Sequence, residues 1–88
     1  MVSELFIVRN KAGFHMHLAG LFTAAMNRFQ STVIVRYNGR EIDGKSIMSV
    51  MAACMKQGAE IEIQCAGADE IEALRAASEL VLSGGGEE

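Results

Sequence analysis

Residues 32–43, TVIVRYNGREID, decide the fold of this chain. The first six, TVIVRY, are rich in β-branched side chains, which favour an extended strand. Asn38-Gly39 is the strongest two-residue signal for a tight turn between strands, because both residues tolerate positive φ. Residues 40–43 then form a short return strand. We therefore predict a β-hairpin in the middle of the chain.

The residues before this hairpin predict one strand and one helix. Residues 4–8 (ELFIV) are apolar and precede the turn-like sequence NKAG at 10–13, as expected for a first strand. From Met16 onward, apolar side chains recur at every third or fourth position, so we predict a helix of about four turns that ends before Ser31. The apolar stripe of this helix comprises Leu18, Leu21, Phe22, Ala25, Met26 and Phe29.

A second helix is predicted after the hairpin. Ser46 can cap its first turn through its hydroxyl, and Lys56 and Gly58 are typical of a helix end. The apolar residues at helical spacing are Ile47, Val50, Met51, Cys54 and Met55. Because the chain has no CxxC motif, we interpret Cys54 and Cys65 as small core residues with free thiols.

The last third of the chain predicts a strand and a final helix. Residues 60–65 (EIEIQC) alternate between polar and apolar side chains, as in a half-buried strand. The side chains on its core side are Ile61, Ile63 and Cys65. Asp69 and Glu72 have the spacing of a capping box for the helix that follows. The apolar face of that helix carries Ile71, Leu74, Ala77 and Val81. Residues 83–88 contain three glycines and are predicted to form a flexible tail.

These elements follow the order βαββαβα and indicate one domain of the α+β class. The 88 residues are too few for two hydrophobic cores, and half of them are apolar, as one packed core requires. The alternation along residues 60–65 indicates that one face of the sheet contacts water. We therefore expect the helices to gather on the other face.

Composition narrows the class of function. The net charge of −3 arises from 11 acidic and 8 basic residues without a basic cluster, so we expect no nucleic-acid partner. No apolar run approaches the ~20 residues that span a membrane, so we expect no membrane insertion. The N-terminus lacks the features of a signal peptide. We therefore expect a cytoplasmic protein whose partners are other proteins.

Gly13-Phe14-His15 is the candidate reactive segment. It precedes the first helix, where unpaired backbone N–H groups and the positive end of the helix dipole favour an anion such as phosphate. Imidazole is a nucleophile that changes charge near neutral pH, and a positive dipole end favours its neutral form. His15 is therefore predicted to accept a phosphoryl group. His15 and His17 do not suggest a metal site, because residues two apart on a helix face different directions.

Several segments resemble the HPr family, the histidine phosphocarriers of the bacterial sugar phosphotransferase system. These segments are Gly13-Phe14-His15, DGKSIM at 43–48 followed by Val50-Met51, QGAEI at 57–61 and GADE at 67–70. The resemblance covers nearly the whole chain and implies a single HPr-like domain over residues 1–88. It also implies an open-faced β-sandwich, in which three helices pack on one face of a four-stranded antiparallel sheet.

For function, the resemblance implies that His15 receives a phosphoryl group from Enzyme I, which takes it from phosphoenolpyruvate. His15 would then pass the group to Enzyme IIA domains of sugar permeases. The backbone N–H groups of Met16, His17 and Leu18 would hold the phosphate. Such a carrier needs no metal or organic cofactor. We expect it to be a monomer that forms a phosphohistidine rather than a stand-alone enzyme.

The chain departs from the family pattern at the site itself. The family pattern Gly-Leu-His-Ala-Arg-Pro-Ala is replaced by Gly13-Phe14-His15-Met16-His17-Leu18-Ala19. An imidazole offers fewer donors than a guanidinium, so His17 is either a weakened phosphate ligand or a solvated side chain. Leu18 in place of proline relaxes the geometry of the helix start.

The resemblance also implies a regulatory site and a partner-binding surface. Ser46 lies in a segment similar to that of Gram-positive HPr, where a dedicated HPr kinase phosphorylates this serine. A phosphate there would lie beside Lys45 and change contacts with partners, including a transcriptional regulator. The expected partner-binding residues are Gly20, Ala24, Asn27, Ile47, Met48 and Met51.

Two alternative functions stay open. The chain could be an HPr paralogue that acts mainly as a regulatory binding module through Ser46, with weak or absent phosphoryl transfer at His15. The replacements at His17 and Leu18 favour this alternative. The chain could also serve another phosphorelay, such as one that feeds a dihydroxyacetone kinase, and would then keep His15 but differ in its docking surface.

Overall fold

The structure, a computed structural model, describes residues 1–9 and 11–84. Its elements are β1 (Val2–Ile7), α1 (Met16–Met26), β2 (Thr32–Tyr37), β3 (Arg40–Asp43), α2 (Ile47–Ala52), β4 (Glu60–Ala66) and α3 (Glu70–Ser83). The strands form one antiparallel sheet in the order β1-β4-β2-β3. The α+β class, the element order βαββαβα and the antiparallel sheet are therefore confirmed. No helix among these residues has the length and apolar character needed to cross a membrane.

The central hairpin has the predicted bounds. β2 ends at Tyr37 and β3 begins at Arg40. These two residues lie opposite each other in the ladder. Asn38 and Gly39 have φ angles of 53° and 74°. Two successive positive φ values give a turn whose twist matches that of the flanking strands, so the turn sequence explains the register of the hairpin.

The core lies between one face of the sheet and the helices. The buried strand residues are Phe6, Val33, Val35, Ile42, Ile61, Ile63 and Cys65. The helix residues that cover them include Leu18, Phe22, Met26, Val50, Ala73, Ala77 and Val81. The opposite face stays open, since Leu5 and Ile7 of β1 are 76% and 55% exposed. The structure is thus the open-faced sandwich that the resemblance implies.

Several elements differ from the predicted bounds at their ends. β1 begins at Val2 and ends at Ile7, because its pairing with β4 runs from Val2 opposite Cys65 to Ile7 opposite Glu60. α1 has 11 residues and ends at Met26, so it is shorter than the predicted four turns. α3 continues through Ser83, where a frayed tail was expected. Residues 85–88 of that predicted tail lie outside the described residues.

The buried stripe of α1 also differs from the predicted one. Leu21 is 38% exposed, whereas Ala19 and Thr23 are buried. Thr23 is tolerated in the core because its hydroxyl donates a hydrogen bond to the carbonyl of Ala19 at 2.9 Å. The helix therefore faces the sheet with two adjacent columns of residues spaced four apart, and Leu21 lies on its outer side.

The placement of Cys54 in the core is wrong. α2 stops at Ala52 rather than near Lys56, and Cys54 adopts a left-handed φ of 54°. The side chain of Cys54 is exposed, while the neighbouring Ala53 and Met55 are buried. One residue of positive φ ends an α-helix, so the helical spacing on which the prediction relied does not extend to this position. Cys65 is buried, as predicted.

The predicted capping box of α3 is also wrong. Asp69 precedes α3 but makes no side-chain hydrogen bond to its first turn. Its carboxylate instead accepts bonds from the N–H groups of Gln30 and Ser31 at 2.9 and 3.0 Å, and from the Ser31 hydroxyl. Asp69 therefore joins α3 to the segment before β2. Ile71, expected on the core face of α3, is 60% exposed.

Candidate functional site

His15 is the N-cap residue of α1. Its backbone is extended, with φ −82° and ψ −176°, and its Nδ1 accepts a hydrogen bond from the backbone N–H of His17 at 3.1 Å. A ring nitrogen that accepts a hydrogen bond is unprotonated and carries its lone pair toward the donor. The lone pair of His15 Nδ1 is thus directed at the start of the helix, where the sequence predicts this histidine.

The loop before His15 is fixed to the segment after α2. Phe14 donates its backbone N–H to the carbonyl of Met55 at 2.7 Å. The Phe14 ring is buried and meets the ring of Phe22 edge to face, with 5.3 Å between ring centroids. An aromatic pair of this geometry stabilises beyond its buried area. The buried ring of Phe14 therefore anchors the loop before His15 on the core side of α1.

The three residues after His15 differ in exposure. Met16 is 67% exposed, the His17 side chain is exposed, and Leu18 is buried with 1% of its surface accessible. The rings of His15 and His17 are nearly parallel, at an angle of 13° with centroids 6.1 Å apart. The Nε2 atom of His15 is buried. The Nδ1 side of His15 is therefore the side that meets the helix start and the second imidazole.

This arrangement suits an anion bonded to Nδ1. The N–H groups of the first turn of an α-helix lack partners within the helix and lie at the positive end of its dipole. The first turn of α1 contains no acidic residue that would compete for these groups. In the part of the chain that the structure describes, His, Cys, Asp and Glu side chains form no cluster of three or more that could hold a metal ion. This arrangement allows Nδ1 to attack an electrophile and form a product that carries negative charge.

Ser46 is the N-cap residue of α2. Its hydroxyl accepts a hydrogen bond from the N–H of Ser49 at 3.2 Å, as the sequence predicts. The expectation that Lys45 lies beside this hydroxyl needs correction. The Lys45 ammonium donates to the carbonyl of Phe29 at 2.8 Å, which directs it toward the segment after α1.

Asn27 links the end of α1 to the residue before Ser46. Its side-chain amide donates to the carbonyl of Thr23 at 2.8 Å and to the carbonyl of Lys45 at 2.9 Å. The amide thus satisfies a carbonyl of the last turn of α1 while it holds the loop that leads into α2. Asn27, expected at a partner-binding surface, is exposed but also has this structural role.

α1 and α2 together present an exposed apolar surface, which we define as Met16, Leu21, Ile47, Met48 and Met51. Met48 is the most exposed of them at 77%. The two helices meet near Gly20, where an added Cβ would lie 4.0 Å from Cδ1 of Ile47. Ala24 is exposed on the same helix as Gly20. The exposure of Ile47, Met48 and Met51 agrees with their assignment to a partner-binding surface.

Sequence reasoning missed two members of this exposed apolar surface. It placed Leu21 in the core, and it gave Met16 only a backbone role. Leu18, Phe22 and Met26 already provide an apolar stripe that can cover one sheet, so a helix of three turns does not need further large apolar residues in the core. The surplus apolar residues of α1 were therefore a detectable signal.

The sequence of the chain is similar to that of known proteins. A family profile described as "PTS HPr component phosphorylation site" matches residues 2–83. The chain is 37% identical to the phosphocarrier protein HPr of Neisseria meningitidis over 81 residues, which cover 92% of this chain and 91% of that protein. It is 38% identical to the HPr-like protein Crh of Bacillus subtilis over 74 residues, which cover 84% of this chain and 87% of that protein.

The fold agrees with this similarity in sequence. The crystal structure of HPr from Thermoanaerobacter tengcongensis superposes with a TM-score of 0.96 at 33% identity, covering 100% of this chain and 99% of that one. The profile match spans the helix start with His15 as well as every strand of the sheet. The chain therefore belongs to the HPr family of phosphocarriers of the phosphotransferase system.

Proposed function

We propose that this protein accepts a phosphoryl group from Enzyme I on Nδ1 of His15 and passes it to Enzyme IIA domains. The observation that carries the proposal is the 3.1 Å hydrogen bond from the N–H of His17 to Nδ1 of His15 at the start of α1. It gives the ring a defined unprotonated nitrogen and a set of amide donors for the product.

The transfer follows from this geometry. The lone pair of Nδ1 attacks phosphorus, an N–P bond forms, and the bond from phosphorus to the donor enzyme breaks. The N–H of His17 then exchanges its acceptor from Nδ1 to a phosphoryl oxygen, and the N–H groups of Met16 and Leu18 lie in the same helix start. Transfer to Enzyme IIA reverses these changes. Hydrogen bonds to the product anion stabilise it without requiring the protein to reorganise.

His17 is proposed as a phosphate ligand with fewer donors than arginine would have. A charge-assisted hydrogen bond contributes about 1.5–3 kcal/mol, which corresponds to roughly one to two decades in rate or equilibrium. His17→Arg should therefore accelerate phosphoryl transfer. An unchanged or slower rate in that variant would contradict the proposed role of His17.

The proposal is tested by incubation of the protein with Enzyme I and radiolabelled phosphoenolpyruvate. We expect an acid-labile phosphate on the protein that is absent in His15→Ala. His17→Ala, which keeps His15 and the backbone N–H groups, should still be labelled. Absence of label on the parent protein, with an HPr control labelled in the same mixture, would refute the carrier function.

We propose that Enzyme I and Enzyme IIA dock on the exposed apolar surface, flanked by Gly20, Ala24 and Asn27. Apolar patches ringed by polar residues are typical of protein interfaces. Met48→Glu should therefore slow transfer, whereas Leu5→Glu should not. Leu5 is the matched control because it is 76% exposed, close to the 77% of Met48, but lies on the open face of the sheet.

Ser46 is proposed as a site of regulatory phosphorylation by an HPr kinase. A phosphate on its hydroxyl would lie at the start of α2, next to Ile47 and Met48 of the exposed apolar surface, and would add about two negative charges there. The helix start tolerates such a group, whereas a docking partner selected for the neutral surface does not. Incubation with an HPr kinase and ATP should label the parent protein but not Ser46→Ala.

A second function is a regulatory binding module in which Ser46 carries the signal and His15 transfers slowly. His17 and Leu18 in place of the family's arginine and proline favour this reading, and the similarity to Crh is compatible with it. Label on Ser46 from the kinase, without label on His15 from Enzyme I, would select this function.

We further propose that the protein works as a monomer and needs no cofactor of its own. Sedimentation equilibrium over a range of protein concentrations tests the first statement. A mass that rises to twice that of the chain would contradict it. Dialysis of this protein alone against a chelator tests the second statement. Its transfer activity should be unchanged when magnesium is then supplied for Enzyme I.

A further inference from the structure

We propose that the imidazole of His17, in its protonated form, binds the phosphoryl group on His15, so that phosphorylation is accompanied by uptake of a proton near neutral pH. The proposal rests on the proposed function of His15 and adds a proton to it. It makes His17 a phosphate ligand whose charge depends on whether the carrier is phosphorylated.

The geometry places His17 at the future anion. Its backbone N–H already contacts Nδ1 of His15 at 3.1 Å, and its ring lies at 13° to the His15 ring with 6.1 Å between centroids. Its side chain is exposed and lies outside the packed core. A phosphoryl group bonded to Nδ1 would therefore form within reach of the second imidazole.

The charge near the His17 ring differs between the two states of the carrier. The start of α1 presents the partial positive charge of its dipole in both states. A phosphoryl group a few ångströms away carries up to two negative charges, which outweigh the half charge of a helix end and favour the imidazolium. Because imidazole changes charge near neutral pH, the two states of the carrier differ in bound protons there.

The other charged groups around α1 do not reproduce this difference. α1 has no other titratable side chain, and α2, which packs against it, has none. The loop before His15 carries Lys11, and the segment that holds this loop carries Cys54 and Lys56. α3, the other helix in contact with α1, carries Glu70, Glu72, Arg75 and Glu79. These groups are present with and without the phosphoryl group, so their effects cancel when the two states are compared.

The first test measures the charge of His17 directly. Phosphoramidate phosphorylates a histidine ring without any enzyme, because the ring nitrogen attacks phosphorus and ammonia leaves. The ring proton signals of His17 are followed by NMR from pH 5.5 to 9 in the unmodified and the phosphorylated protein. We expect the midpoint of the His17 titration to move upward by about half a pH unit or more on phosphorylation. Identical midpoints would overturn the proposal.

One control addresses acidic residues near the end of the chain. Glu87 and Glu88 lie outside the described residues, so the double variant Glu87→Gln, Glu88→Gln is titrated in the same way. The upward shift on phosphorylation should persist in this variant. Its disappearance would assign the shift to those carboxylates rather than to the phosphoryl group and would overturn the proposal.

The second test measures the consequence for phosphoryl affinity. Parent protein and a variant compete for a limiting amount of phosphoenolpyruvate in the presence of Enzyme I, and mass spectrometry gives the ratio of their phosphorylated forms at equilibrium. His17→Gln is neutral at every pH, and His17→Arg is charged at every pH. The competition cancels the pH dependence of the phosphoryl group and of His15, which both proteins share.

We expect the parent to behave like His17→Arg at pH 6 and like His17→Gln at pH 8.5. Against His17→Gln, the parent should hold roughly three- to tenfold more phosphate at pH 6 and an equal amount at pH 8.5. Against His17→Arg, the amounts should be equal at pH 6, and the parent should fall several-fold behind at pH 8.5. Ratios that do not change with pH would overturn the proposal. Failure of Enzyme I to phosphorylate any of the proteins would refute the proposed function, while the phosphoramidate experiment would still decide the charge of His17.

Discussion

A Cβ atom on Gly13 would lie 2.5 Å from the backbone carbonyl oxygen of Met55. That carbonyl also accepts a hydrogen bond from the N–H of Phe14, the residue that follows Gly13. Because the carbonyl belongs to the backbone, it cannot move away from an added Cβ by rotation of a side chain. The position of His15 therefore depends on a glycine that the reaction does not touch.

Gly13→Ala should destabilise the protein by about 2–4 kcal/mol, since it adds both a strained positive φ and a backbone clash. Gly58→Ala is the matched control, because Gly58 has a φ of 89° but nothing within 4 Å of an added Cβ. Urea unfolding of the two variants separates strain from collision. Equal losses would show that the contact with Met55 is unimportant.

Phe14 should tolerate leucine but not alanine. Phe14→Leu fills most of the same buried space and should cost less than about 1.5 kcal/mol, whereas Phe14→Ala should cost about 3–5 kcal/mol. Unfolding curves measure both values. At a temperature where both variants are folded, Phe14→Ala should also accept phosphate more slowly, because His15 has lost its anchor. Equal labelling rates would mean that the Phe14 ring does not position the site.

Protonation of the Asp69 carboxyl should lower the free energy of unfolding at acid pH. Hydrogen bonds hold the pKa of the Asp69 carboxyl below its ordinary value. The largest effect comes from the Ser31 hydroxyl and the next from the N–H of Gln30. A carboxyl whose pKa is lower in the folded protein stabilises the fold at pH values above its unfolded pKa, and this contribution is lost as the pH falls through the folded pKa. Asp69→Asn should therefore be less stable at pH 7 and should show a flatter loss of stability between about pH 5 and pH 2. Parallel pH profiles for parent and variant would contradict this role.

The two cysteines should react at different rates with a thiol reagent. The Cys54 side chain is exposed, whereas Cys65 is buried. Burial raises the pKa of the Cys65 thiol, and the negative charges of the nearby Glu70 and Asp69 raise it further. Since the thiolate is the reactive form, one thiol per molecule should react quickly at pH 8 and the other only on unfolding. Cys54→Ser should remove the fast phase. A fast phase that persists in this variant would contradict the buried position of Cys65.

The accuracy of sequence-based prediction depended on the range of the interaction that fixes each element. Local chemistry fixes the turn at Asn38-Gly39 and the cap at Ser46, and both were predicted, as was the place of His15 before the first helix. Asp69 looked like a cap by its spacing but binds the distant Ser31. Contacts between residues 38 apart in sequence leave no periodic signal along the chain.

The outward position of Leu21 and the exposed Cys54 were missed for a related reason. Hydrophobic spacing identifies a helix but does not say which of two overlapping apolar stripes faces the sheet. Nor does it show that a non-glycine residue takes a left-handed φ, as Cys54 does. At the site, the sequence placed His15 at the helix start, but only the structure joins Gly13 and Phe14 to Met55.

The central claim is that Nδ1 of His15 carries the phosphoryl group at the start of α1. The most direct measurement is NMR of the protein after incubation with Enzyme I and phosphoenolpyruvate, with nitrogen-15 in the histidine rings and the backbone. We expect phosphorus coupling to Nδ1 of His15, together with large changes in the amide signals of His17 and Leu18. Coupling to Nε2, to another residue, or to no nitrogen at all would contradict the account.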